Sequence, residues 1–171
     1  MSVAFTRRAG QRKRVDPRKS LVGFVVGEVT YAVAVESVRE ITNPLAVVVL
    51  PQSPPSVVGV AEFRGAIIPV VDLRARFGLE PTPVTRKTKW IVLEASGRLV
   101  ALVVDYATDV FGTAGAGPKS PPLGPSEGVR GISGVVESPS GMAFVLDQAP
   151  LADLVRDMSG LREAPSSPRK P

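Results

Sequence analysis

Apolar positions along this chain come in short runs of strand length, broken by glycine, proline or a polar pair. Leu21 to Val26 and Val29 to Val35 are separated only by Gly27 and Glu28, which predicts a hairpin whose two-residue turn has Gly first. In the second run Val29, Tyr31, Val33 and Val35 alternate with Thr30, Ala32 and Ala34, the pattern of a strand with one strongly apolar face. A turn over Glu36 to Val38 leads to Arg39, Glu40 and Ile41, and Ala46 to Leu50 reads as a further strand ended by Pro51. Val58 to Phe63 and Ala66 to Val71 meet at Arg64-Gly65, where Gly permits the positive φ of a tight connection. Pro69 cannot donate to a ladder, so its strand is predicted at an edge or a bulge. Asp72 then caps a short helix, Leu73 to Phe77, which Gly78 stops.

The alternation returns at Lys89 to Glu94 and Arg98 to Val104, a hairpin turning at Ser96-Gly97, and Asp109 to Gly112 makes a further strand. Thr113 to Gly128 is Gly, Pro and Ser with almost no large apolar residue, the composition of a mobile surface loop. Val129 to Glu137 and Met142 to Leu146 form a last strand pair. Asp147 introduces a closing helix in which Leu151, Leu154, Val155 and Met158 fall at i, i+3, i+4 and i+7. Strand, Asp and helix occur in that order at IIPVVDLRARF and again at MAFVLDQAPLADLV, which suggests two similar β units. About ten short strands with few helices predict a mainly β fold of paired small barrels, since closure removes exposed edges.

Composition narrows the chemistry. The chain has 171 residues, 44% of them apolar, enough for one domain or two small packed ones. It has neither Cys nor His, so a disulfide framework, zinc finger, haem ligation, thiol nucleophile and imidazole base are all excluded. Carboxylate-only catalysis and oxygen-ligand magnesium or calcium sites are what remain open. Residues 1–20 carry seven basic side chains against Asp16 alone, while the remainder is close to neutral. Residues 1–19 therefore read as a disordered basic leader and 159–171 as a disordered tail. Such a leader could bind nucleic acid by releasing counterions, the rival reading for this chain, though it has no interleaved aromatics. No apolar stretch has the length of a signal core or a membrane span, so a cytoplasmic protein is expected.

Individual residues weigh against catalysis. Asp72 and Asp147 could form a carboxylate dyad, but neither is followed by the Thr/Ser-Gly of an aspartic protease loop, and helix capping accounts for both. No glycine cluster has the Lys-Ser/Thr partner of a phosphate loop. Trp90, the only Trp, starts a strand and reads as core or rim packing in preference to a recognition anchor. Glu40 and Arg64 stand beside apolar strand residues, where a long charged side chain must reach solvent or find a partner. They can bridge each other to fix two strands, line a surface that engages another protein, or do both.

The segment GVAEFRGAIIPVVDLR resembles the central motif of the CheW-like family, the coupling proteins of chemotaxis. Gly59, Arg64, Gly65, Pro69, Val70, Asp72, Leu73 and Arg74 supply its centre, and Val38, Arg39, Glu40 and Ile41 its upstream element. LVGFVVGEVTYAVAV is similar to the family's first hairpin. LVALVVDYATDV and RGISGVVES…MAFVLDQAPLADLV are similar to its later strands and closing helix, so the resemblance spans residues 20–158. It implies two five-stranded SH3-like barrels around a shared core. It also implies a non-catalytic adaptor, without cofactor or metal, that joins the cytoplasmic tip of a chemoreceptor (a methyl-accepting chemotaxis protein) to the regulatory domain of a CheA-type histidine kinase. The positions associated with receptor docking are Val38, Glu40, Gly59 and Arg64, in a groove between the barrels. The resemblance implies a kinase surface on the barrel formed by the middle of the chain and assigns no residues to it. Where the family has Asn, this chain has Glu62, which either competes with Glu40 for Arg64 or adds negative charge to the receptor site.

Overall fold

The hairpins close where the backbone can reverse cheaply. At Arg64-Gly65 and Ser96-Gly97 both turn residues have positive φ, 48° and 81° in the first and 50° and 76° in the second. That geometry matches the right-handed twist of the flanking strands. The structure, a computed structural model, describes residues 19–113, 118–120 and 131–159. The predicted leader, apart from Lys19, most of the Thr113 to Gly128 loop and the tail beyond Ser159 lie outside the described residues.

The described residues form ten strands: β1 (Ser20–Val26), β2 (Val29–Ala34), β3 (Val38–Thr42), β4 (Val57–Phe63), β5 (Ala66–Asp72), β6 (Lys89–Ala95), β7 (Arg98–Val104), β8 (Tyr106–Gly112), β9 (Ile132–Ser138) and β10 (Gly141–Leu146). Two helices among the described residues, α1 (Leu73–Arg76) and α2 (Ala149–Ser159), follow β5 and β10, and a 3-10 turn, Val35–Ser37, links β2 to β3. The strands form two five-stranded sheets that build two SH3-like barrels, as expected. Barrel A has the order β8-β1-β2-β10-β9 and barrel B the order β3-β6-β7-β5-β4. Barrel B is thus continuous in sequence, whereas barrel A is assembled from both ends of the described chain.

The two units are repeats. Val57 and Ile132, which open β4 and β9, stand 75 residues apart, and so do the capping residues Asp72 and Asp147. Each barrel also has one parallel pair, β5 with β7 and β2 with β10. The chain after β3 pairs with β4 through Val48 and Val60, and the chain after β8 pairs with β9 through Lys119 and Val135.

Strand alternation sorts side chains into three cores. Leu21, Ala32, Phe111, Val136, Ala143 and Val145 fill barrel A. Phe63, Ile68, Val70, Trp90 and Val92 fill barrel B. Between them a larger shared core takes Val22, Phe24, Tyr31 and Val33 from barrel A and Ile91, Leu93, Leu102 and Val104 from barrel B. Tyr31 stacks on Phe77, just beyond α1, with ring centroids 4.8 Å apart. The predicted single apolar face of β2 is therefore corrected: Tyr31, Ala32 and Val33 are all buried, because one face meets the barrel interior and the other the shared core.

Three further expectations change. Ala46 to Leu50 is no strand. It makes one bridge, at Val48, and leaves Val48 and Val49 exposed, since Pro44 and Pro51 bound a segment with no sheet face to lie on. Pro69 lies on β5, which is interior to its sheet, but the pairing of β5 with β7 begins one residue later, at Val70, so the missing donor interrupts no parallel pair. Within the predicted Thr113 to Gly128 loop, Lys119 exchanges two backbone hydrogen bonds with Val135, each 2.9 Å.

Candidate functional site

An exposed ion pair of barrel B lies at its seam. β3 and β4 are the two edges of the sheet, and the chain must bring them together to close the barrel. The positive φ of Arg64 places it in the β4–β5 turn, from which its Nε and Nη2 donate to Oε2 of Glu40 on β3, at 2.8 and 2.5 Å. Both donors meet one oxygen, so the fork-to-fork arrangement is not used. The guanidinium also sits 5.6 Å from the centroid of the Phe63 ring. Arg64 is 73% exposed and Glu40 34%, which puts the pair in the range of surface bridges, roughly 0–1 kcal/mol. Arg39 and Glu94 form a second bridge, between β3 and β6.

The other predicted site residues are placed differently. Val38 is half-buried, packs against the shared core and pairs with Leu93. Glu62 is exposed on β4, opposite Ile67, while Arg64 takes Glu40. Gly59 is buried, at a register shift in β4. A Cβ there would stand 2.2 Å from the carbonyl oxygen of Val48, at a φ of 155°. Its part in any surface is to let the Val48 segment lie down on β4. Gly134, its counterpart in barrel A, makes room in the same way, since an added Cβ would meet Pro118 at 2.4 Å.

Sequence reasoning missed an apolar strip beside this seam. Val48, Val49 and Val58 are 65%, 72% and 36% exposed on β4 and the segment bridged to it. Valines in short runs read as strand core. Only the pairing of Val48 with Val60 shows that these have no layer above them.

A second charged cluster ties the barrels together. Asp105 is the residue between β7 of barrel B and β8 of barrel A. It accepts from Arg74 Nε at 2.8 Å on one oxygen and from Arg74 Nη2 at 2.9 Å on the other, and from the Gly27 amide at 2.8 Å. Arg74 also donates to the carbonyl of Glu80. Burial pushes the Asp105 carboxyl up, but the Arg74 hydrogen bonds, the Gly27 amide and the Arg74 charge outweigh it and hold the group below its usual range. The Asp105 hydrogen bond raises the Arg74 guanidinium in turn. Arg74 entered the sequence reading only as the end of a motif, and Asp105 carried no signal beyond being the lone acid between two apolar runs.

Asp72 and Asp147 are both occupied as helix caps, accepting from the amides of Arg74 and Ala149 at 2.8 and 3.0 Å. Among the described residues, no three of the acidic side chains cluster as they would around a metal ion. No described helix is long and apolar enough to cross a membrane.

Comparison with known proteins adds the following. The profile of the CheW-like domain matches residues 20–156. A probable chemotaxis protein CheW of Rhizobium etli is 35% identical over 93 residues, covering 54% of this chain and 60% of that relative. The chain thus spans about three fifths of the length of the Rhizobium relative it matches. The chemotaxis protein CheW of Treponema pallidum is 27% identical over 137 residues, covering 77% of this chain and 81% of the relative. Among solved structures, the scaffolding protein TtCheW from Thermoanaerobacter tengcongensis superposes with a TM-score of 0.72 at 25% identity, over 78% of this chain and 92% of that one.

Proposed function

The chain belongs to the CheW-like domain family, and on that premise we propose that it is a non-catalytic adaptor that couples the cytoplasmic tip of a chemoreceptor to a CheA-type histidine kinase. The observation that carries the reading is the seam of barrel B, where an exposed ion pair lies beside an exposed valine strip on a five-stranded sheet. Exposed apolar residues rimmed by charge are the usual mark of a protein-docking face. Glu40, Glu62 and Arg64 contact the receptor in this proposal, Val38 supports them from the half-buried side, and Gly59 shapes the strand beneath. Val48, Val49 and Val58, on the same barrel, offer the apolar surface for the kinase's regulatory domain. Holding two partners at once raises the effective concentration of each for the other, so the adaptor needs no chemistry of its own.

A charge swap tests the receptor site. Arg64→Glu alone should weaken binding of a receptor-tip fragment about tenfold or more, as loss of a charged contact does. Glu40→Arg combined with Arg64→Glu restores an ion pair and, with it, the thermal stability of the chain. Receptor binding should stay weak in this double variant, because the outward charge pattern is reversed. Full recovery of binding in the swap would reduce the pair to a structural tie.

A further inference from the structure

The loop from Phe77 to Thr88, between α1 and β6, has neither helix nor strand, yet it is tied down along its length. Arg74 fixes its start: Nη1 donates to the carbonyl of Glu80 at 2.8 Å, and the Arg74 carbonyl accepts from the Leu79 amide at 2.8 Å. Pro81 and Pro83 stiffen the middle, since each ring holds its own φ. At the far end the Thr85 amide donates to Thr88 Oγ1 at 2.9 Å and the Lys87 amide to Thr85 Oγ1 at 3.2 Å. Lys89 Nζ, at the start of β6, donates to the carbonyl of Arg86 at 3.1 Å and to Asn43 Oδ1 at 2.7 Å. A loop held this firmly while residues 80–87 all stand exposed is built to present side chains to a partner.

What it presents is positive. Residues 84–89 read Val-Thr-Arg-Lys-Thr-Lys, with three cations and no acid, and Val84 among them is 70% exposed. None of the three cations pairs with a carboxylate among the described residues, whereas Arg39, Arg64, Arg74 and Arg156 all do. The contact of Lys89 with Asn43 sets the loop beside the start of the segment that carries Val48 and Val49. Residues 43–58 contain no charged side chain, so the cations form a charged rim to a neutral, partly apolar surface. An acidic face is attracted to that rim, while Glu62, exposed at the seam, would repel it from the receptor site. Nucleic acid fits less well, because a base stacks on an open aromatic face and Tyr106, the ring beside these cations, has Lys87 Nζ 6.0 Å over its centroid.

We propose that Arg86, Lys87 and Lys89 form a basic rim that steers an acidic face of the kinase's regulatory domain onto barrel B, next to the valine strip. The assignment rests on the coupling role proposed above and adds to it the charge of the kinase surface.

Association of the full chain with the regulatory domain of a CheA-type kinase is followed by stopped flow at about 25 and about 300 mM NaCl, which brackets strong and weak screening. Arg86→Glu with Lys87→Glu should slow association about tenfold at low salt and flatten its salt dependence, with binding of a receptor-tip fragment unchanged. Lys19→Glu with Arg156→Glu makes the same change in net charge at exposed positions elsewhere and should slow association less than about twofold. Trp90 emission checks that each variant is folded. Equal slowing in the two variants would overturn the proposal, and so would a loss confined to the receptor fragment or to a single-stranded oligonucleotide used as a third probe. A wild-type chain that binds no kinase domain would instead refute the coupling role, and this contact with it.

Discussion

Single side chains differ here in how far their surroundings could be read in advance. Glu40 and Arg64 were legible because long charged groups interrupt apolar strand positions, and the structure brings them together. Asp105 and Arg74 were not, because their meeting depends on where the chain passes from one barrel to the other, which local pattern does not encode. The strength of that second pair follows from its setting: both side chains are mostly buried, at 20% and 23% exposure. Asp105→Asn should cost about 1.5–3 kcal/mol at pH 7, the range of hydrogen bonds to charged groups, read from the urea midpoint. The sign of the pH dependence is set by the lowered folded-state value of Asp105. Its contribution is full above the unfolded value, about 3.9, and is lost as pH falls through the folded one. Wild-type stability should therefore drop below about pH 4, more steeply than that of the Asn variant. Gly59 supplies a steric counterpart. Gly59→Ala should cost about 1–3 kcal/mol, by overpacking against the Val48 carbonyl. Gly65→Ala, whose Cβ would meet nothing within 4 Å, should cost less, through φ alone. A reversed order of the two midpoints would refute the steric account.

Strands and helices were readable wherever their partner lay nearby in sequence. The hairpins around Gly27, Gly65 and Gly97 formed with ends within one or two residues of expectation, because turn chemistry and alternation agree there. β8 begins at Tyr106 and not at Asp109, since its first residues are held by pairing with β1, some eighty residues earlier by the register of Val25 with Tyr106. Ala46 to Leu50 failed in the opposite sense, with high strand propensity but no layer to cover it. α2 was largely legible from its stripe and its cap: Leu151 and Val155 are buried and Leu154 and Met158 half-buried against the shared core, Asp147 accepts from the Ala149 amide, and only the buried Ala152 lay outside the stripe. Removing the cap by Asp147→Ala should cost about 1 kcal/mol. Leu151→Ala should cost about 2–5 kcal/mol. Thermal melts of the two variants would separate the contribution of the helix end from that of its buried face.

For the molecule as a whole, counting short strands led to paired barrels, but the division of labour among three cores could not be read from the chain, because most strands, β1, β2, β4 to β7 and β10 among them, serve two of them. The shared core should make the barrels one cooperative unit. Trp90 lies within barrel B, so its fluorescence reports that barrel, while far-UV dichroism reports both. The two denaturation curves should coincide, and Val33→Ala in barrel A should move them together. Separate midpoints would mean that the barrels melt independently. The split origin of barrel A has a further consequence during synthesis. β1 and β2 leave the ribosome first, yet the parallel neighbour of β2 is β10, which is translated after all of barrel B. At ordinary elongation speeds that delay is roughly 5–20 seconds. Throughout it the newborn hairpin presents an unpaired, valine-rich margin, so the nascent chain should be a client for holding chaperones until its last strands emerge.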